Sequence, residues 1–178
     1  TLKFDALIIG SGFDALFTAF SLQSQGKNVA VIEKDDEVGG LYKSVKNGDT
    51  AIESHVNFIP ANPITQNMLM TIKNEIPELE LDVLELGPIT FHNGQVQPFV
   101  GFGETEMQAV DEYMSFVAAD QIQLNMGIGQ LTQKIRSLLT CQVLTHNEVT
   151  ALEIEPEVAV LVNGSQKITA ETIYFFDN

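Results

Sequence analysis

The sequence predicts an α/β fold organised around a parallel sheet, and three observations within the first forty residues carry that expectation. Residues 4 to 10, Phe-Asp-Ala-Leu-Ile-Ile-Gly, form a short apolar run closed by glycine, the pattern of a strand buried on both faces. A helical stretch then runs to about Gln25 and stops at Gly26. A second apolar run, Asn28-Val-Ala-Val-Ile, ends at the acid Glu33. Strand, glycine turn, helix and strand in so short a span make a βαβ unit.

The first strand leads into Gly10, Gly12 and Ala15, in the order G-x-G-x-x-A. Gly10 permits a tight turn, and Gly12 lacks the Cβ that would keep a diphosphate away from the amides opening the helix. Ala15 is small enough for the helix to approach the sheet. The helix carries Phe13, Leu16, Phe17 and Phe20 on one side and Ala15, Ala19 and Leu22 on another, so it is expected to be covered on more than one face. Glu33 follows at the end of the second strand, where a carboxylate accepts hydrogen bonds from a ribose 2′-OH and repels a 2′-phosphate. NADP is therefore the least expected dinucleotide. Asp14, in the first helical turn, suits the helix dipole but opposes a phosphate if it points at one. Glycines also end strands in α/β proteins that bind nothing. Here strand, helix and acid all stand where a Rossmann-like dinucleotide site requires them.

Residues 33 to 41, Glu-Lys-Asp-Asp-Glu-Val-Gly-Gly-Leu, extend the pattern. A strand-end acid, a charged turn and Gly39-Gly40 resemble the N-terminal signature of FAD-dependent oxidoreductases such as flavin amine oxidases, phytoene desaturases and protoporphyrinogen oxidases. The resemblance implies a three-layer, FAD/NAD(P)-binding Rossmann-like fold with a parallel sheet, a small β-meander and an inserted helix and hairpin region. It also implies FAD as cofactor, with Gly39 and Gly40 approaching the pyrophosphate and ribityl chain; a purely structural diglycine turn is the alternative. Leu41 departs from the basic residue that the family often has there. The expected cofactor-binding set is Gly10, Ser11, Gly12, Phe13, Asp14, Ala15, Glu33, Lys34, Gly39, Gly40 and Leu41. Val149 joins it because relatives contact adenine through the backbone at a similar position, core packing being the alternative. Ile52 and Glu53 match a family segment that runs under the isoalloxazine ring, whereas His55 stands where the family usually has glycine.

Further along, Pro60 and Pro63 bracket a turn before a helix marked by Met68, Leu69, Ile72 and Ile76 and ended by Pro77. Leu79, Leu81 and Val83 alternate with acids as in a half-exposed strand. Residues 89 to 92 and 95 to 99 flank Asn93-Gly94, a hairpin signal, and a helix is expected over about 104 to 119. After Gly127-Ile-Gly129, a helix over 130 to 139 and a strand over 142 to 146 are expected. Strands over 149 to 155, 158 to 162 and 172 to 176 then follow, with a turn at Asn163-Gly164. This divides the chain into a dinucleotide-binding domain, residues 1–59 and 126–178, and an inserted, abbreviated substrate-side region, residues 60–125. Because the chain starts at Thr1 and stops before the family's C-terminal Gly-Asp segment, a fragment of a longer protein is expected.

Composition limits the function classes. Nine Lys and Arg against 24 Asp and Glu give a net charge of 9 − 24 = −15, too few cations to neutralise a run of nucleic-acid phosphates or to hold an anionic membrane. No apolar run approaches the ~18 residues of a membrane span, and one cysteine suits a reducing compartment, so a cytoplasmic location is expected. His55, His92 and His146 have no zinc spacing, and no nucleophile motif stands out. The catalytic residues stay unassigned, and any redox chemistry would belong to the cofactor. Two readings from different classes follow. One is the FAD-binding part of an oxidoreductase taking hydride from a small organic substrate. The other is a non-catalytic binding protein resembling Rab GDP dissociation inhibitors, with an NAD-binding domain as a third reading. Oligomeric state and electron acceptor are open.

Overall fold

The computed structural model of the chain describes residues 2–53, 59–84, 89–92, 94–98, 120–156 and 158–176. Along the sequence it sets out β1 (Leu2–Ile9), α1 (Phe13–Ser24), β2 (Val29–Ile32), β3 (Ser44–Asn47), β4 (Thr50–Glu53) and β5 (Ile59–Pro60). Then come α2 (Pro63–Glu75), β6 (Leu81–Leu84), β7 (Ile89–His92), β8 (Gln95–Pro98), β9 (Gln121–Leu124) and α3 (Ile128–Leu138). The last strands are β10 (Gln142–Leu144), β11 (Val149–Glu153), β12 (Ala159–Val162) and β13 (Gln166–Phe175). These elements group into two compact units, Thr1–Val56 with Met126–Asn178, and Asn57–Asn125.

The first unit is built on a six-stranded sheet of order β10-β2-β1-β13-β12-β11. Four neighbours, β10 to β13 in that order, run parallel, and β12 and β11 continue the sheet antiparallel. The apolar runs explain the interior position of β1 and β2. All four residues of β2 are buried, as are Phe4, Ala6, Leu7 and Ile8 of β1, the pattern of strands in the interior of a parallel sheet. Phe4, Leu7, Ala30, Ile32, Val160, Val162, Ile168 and Ala170 form a buried apolar cluster on the sheet. Full burial of a Leu, Ile or Val side chain stabilises by about 1.5–3 kcal/mol, so this cluster fixes the register that carries the loops above it. Helix α1 packs on β1, β2 and α3 and buries Phe13, Ala15, Leu16, Ala19 and Phe20. It ends as expected at Gly26, whose N–H donates to the Gln23 carbonyl (2.9 Å) while that of Lys27 donates to Leu22 (3.1 Å), a Schellman closure.

Several boundaries differ from the sequence expectation, among them the starts of α3 and of the last strand. Helix α3 starts at Ile128, two residues early, with Gly127 as its N-cap, so Gly129 lies inside the helix. The last strand begins at Gln166, not Thr172. Its early residues pair antiparallel with β12, from Ala159 opposite Thr169 to Val162 opposite Gln166. Its residues 168 to 175 pair parallel with β1. Exposed Gln166 and Lys167 hide this strand from an apolar-run reading.

The second unit holds a three-stranded sheet of order β5-β9-β6 and the β7–β8 hairpin. Helix α2 is capped by Asn62, whose side-chain oxygen accepts the Thr65 N–H at 2.9 Å, and buries Leu69 and Ile72. Ile76 and Leu79 are buried beyond it. Strands β7 and β8 pair from Ile89 opposite Pro98 to His92 opposite Gln95. Asn93, Phe99 and the expected helix over 104 to 119 lie outside the described residues.

Candidate dinucleotide-binding site

The site forms where the parallel strands end, which is where open α/β sheets bind ligands. Gly10 leaves β1 at φ +99°, with its N–H donating to the Ile32 carbonyl at 2.9 Å. A Cβ there would collide with the backbone oxygen of Phe176, and Phe176 is held in place by its own N–H bond to the Ile9 carbonyl, 2.9 Å. The turn therefore needs glycine for protein reasons alone. Gly12 is different. It is the N-cap of α1 at φ −65°, ψ 177°, a conformation open to any residue.

Because that N-cap is glycine, it has no side chain with which to cap α1. The helix's first backbone bond runs from the Leu16 N–H to the Gly12 carbonyl, 3.0 Å. Among the described residues, the amides of Phe13, Asp14 and Ala15 have no acceptor, as expected for an uncapped first turn. Phe13 and Ala15 are buried, whereas Asp14 is exposed.

The start of α3 provides an internal comparison. It too is led by glycine and lacks a cap from its own residue, but the Glu53 carboxylate of β4 reaches it. Glu53 Oε2 accepts the Gly129 N–H at 3.0 Å, and Oε1 accepts the Ser44 hydroxyl at 2.7 Å. A Cβ at Gly127 would collide with that carboxylate, and one at Gly129 with Ser44. The protein thus supplies its own anion at α3. At α1 it does not.

Glu33 continues the β2–β10 ladder just beyond β2. Its N–H donates to the Leu144 carbonyl (2.8 Å) and its carbonyl accepts from Asn147 (2.9 Å). Its side chain turns inward and is 5% exposed. Oε1 accepts the Asp35 N–H at 2.8 Å and Oε2 accepts the Ser11 hydroxyl. Ser11 is itself fully buried. Gly39, buried beside it, donates its N–H to the Ser11 carbonyl at 2.9 Å and to its hydroxyl at 3.2 Å. The diglycine loop is thereby tied to the first turn. Gly39 and Gly40 both have positive φ, +128° and +55°, so the backbone by itself accounts for the pair, and the Gly39 amide is already engaged.

The structure brings residues 10 to 15, Glu33 and Gly39 together. Lys34 and Leu41 are exposed on the connecting loop. That loop is braced by a 3.0 Å ion pair of Lys43 with Asp35, and the Lys43 ammonium holds the Asp35 carboxyl below its ordinary range. Val149 opens β11 opposite Val162 and packs against the core cluster. His55 lies outside the described residues. Neither the bond from Ser11 to Glu33 nor the reach of Glu53 to α3 was legible in the sequence, because 22 and 76 positions separate the partners. Among the described residues no three His, Cys, Asp or Glu side chains gather to hold a metal ion, and no helix is long and apolar enough to cross a membrane.

Residues 8–72 match the family described as an NAD(P)-binding Rossmann-like domain. The fold is Rossmann-like. Solved structures with this architecture include wild-type putrescine oxidase bound to putrescine, 14% identical with a TM-score of 0.65 over 97% of this chain and 57% of that one. A probable FAD-dependent monooxygenase from Pseudomonas aeruginosa is 14% identical with a TM-score of 0.57 over 96% of this chain and 41% of that one. The Rab GDI of Plasmodium falciparum is 10% identical with a TM-score of 0.64 over 98% and 65%. The chain thus spans less than two thirds of the length of each, and the likeness is one of fold. No curated protein matches the sequence.

Proposed function

We propose that the chain is the FAD-binding portion of a flavin-dependent oxidoreductase that accepts hydride from a small organic substrate, an amine or a CH–CH donor. The observation that carries this reading is the contrast between the two glycine-led helices of the Rossmann-like unit. A carboxylate of the protein caps α3, whereas α1 keeps its first-turn amides unpartnered among the described residues. Open amides at a helix start favour an anion through hydrogen bonding and the helix dipole together.

The residues fit a dinucleotide diphosphate. The amides of Phe13, Asp14 and Ala15 would hold it, with Gly12 keeping the approach clear and Glu33 taking a ribose hydroxyl. FAD, when bound, supplies the hydride-accepting ring. The chain's own contribution is to bind and orient: Gly10 sets the turn, Ala15 seats the helix on the sheet, and Gly39 ties the following loop to Ser11. The probable FAD-dependent monooxygenase among the structural neighbours supports FAD over NAD.

The second reading is a non-catalytic binding protein. Asp14 exposed in the first turn of α1, Leu41 where the resemblance implies a basic residue, and the likeness to Rab GDI favour it. The deciding experiment is titration of the purified chain with FAD, NAD and NADP, followed by flavin fluorescence and calorimetry. Saturable FAD binding with NADP rejected supports the proposal. Failure of FAD to bind at any concentration overturns it in favour of the binding-protein reading, and a preference for NAD moves it to the dehydrogenase class.

A further inference from the structure

We infer that Ser11 is a positioning residue: acting through Glu33, it makes the site select a ribose over a deoxyribose. The inference rests on the dinucleotide reading above. Lying between the two glycines of the turn, Ser11 looks from the sequence like a ligand contact. The fold instead buries it completely and directs its hydroxyl into the protein, donating to Glu33 Oε2 and accepting the Gly39 N–H at 3.2 Å. The other carboxylate oxygen is held by the Asp35 N–H at 2.8 Å. Each oxygen of Glu33 therefore has one fixed partner.

A carboxylate offers about four acceptor positions, so one is left on each oxygen. That is the arrangement a vicinal diol satisfies, since its two hydroxyls donate side by side. A 2′-deoxy sugar leaves one of the two positions unfilled. The orientation matters because the terminal torsion of a Glu side chain is broad and weakly restrained by itself. With both oxygens pinned from inside, the carboxylate is set before the ligand arrives. Removing the Ser11 hydroxyl frees Oε2 to turn, while Gly39 keeps its 2.9 Å bond to the Ser11 carbonyl and the diglycine loop stays docked. Loss of the hydroxyl should thus act on sugar recognition and spare diphosphate binding.

The test is calorimetric binding of ADP and of 2′-deoxy-ADP to the chain and to its Ser11→Ala variant. Hydrogen bonds to a charged acceptor correspond to about tenfold or more in affinity, so the wild-type chain should prefer ADP by at least that factor. Ser11→Ala should lower ADP affinity to near that of the deoxy nucleotide and leave the latter unchanged. Equal weakening of both nucleotides shows a merely structural role and overturns the inference, as does an unchanged ADP preference. Should Ser11→Ala fail to fold, Ser11→Cys, which is slightly larger and keeps only a weak donor, must show a reduced ADP preference; full retention refutes the role. A wild-type chain that binds both nucleotides equally leaves the dinucleotide reading standing and removes this inference alone, whereas binding of neither removes both.

Discussion

Replacing Gly10 by alanine separates what the turn owes to the protein from what it owes to a ligand. At φ +99° an L-residue costs about 1–2 kcal/mol. The added methyl also meets the Phe176 carbonyl, which cannot retreat because Phe176 is bonded to Ile9 at 2.9 Å and β13 is paired with β1 up to Ile9 opposite Phe175. Overpacking against such fixed atoms costs about 1–3 kcal/mol, giving about 2–5 kcal/mol in all. Gly26 is the matched control. It too has positive φ, +78°, but nothing lies within 4 Å of a Cβ placed there, so Gly26→Ala should cost only the conformational share, about 1–2 kcal/mol. Urea unfolding followed by far-ultraviolet circular dichroism compares the two variants against the parent. Equal losses at the two positions would refute the argument, because they would show that the close approach of Phe176 to Gly10 contributes nothing.

Three further outcomes are expected. Gly12→Val, at a backbone conformation that does not require glycine, should remove FAD or ADP binding while the chain remains folded by circular dichroism; unaltered binding would show that the approach to the α1 amides is not through Gly12. Glu53→Ala should destabilise the Rossmann-like unit by about 0.5–2 kcal/mol, the range of a lost helix cap, read as a lower urea midpoint with ligand-free protein. Burial raises the Cys141 thiol above its ordinary range, so its thiolate fraction is depressed near neutrality and grows only as pH rises through the raised value. Iodoacetamide should therefore modify Cys141 more slowly at pH 7 than a free thiol does, with the gap closing at alkaline pH; a rate equal to that of free cysteine at neutral pH would contradict the burial.

Much of the first βαβ unit was legible in the order of residues, because its determinants are local. Unbroken apolar runs demand burial on both faces, Gly26 ends a helix through its own backbone, and the glycine-rich turn announces a short passage between strand and helix. The Rossmann-like class follows from those alone. Strand β13 was half hidden, since its polar first residues pair with β12 and only its later ones with β1. Gly127 and Gly129 read as the head of a helix, yet the reason for both glycines is a carboxylate and a serine from the β3–β4 hairpin.

Residue types and their short-range spacing determined the strands, the helix ends and the presence of a glycine-led turn beside an acid, since each of these is settled by backbone sterics or by burial within a few positions. Tertiary structure decided that the start of α3 is filled by Glu53 while that of α1 is left open by the described residues, and whether Ser11 faces outward or toward Glu33. Those outcomes depend on side chains brought together from 22 and 76 positions apart. No local rule carries that information, because it arises only when the fold has placed the ends of β1 and β2 and the β3–β4 hairpin beside the helices they serve.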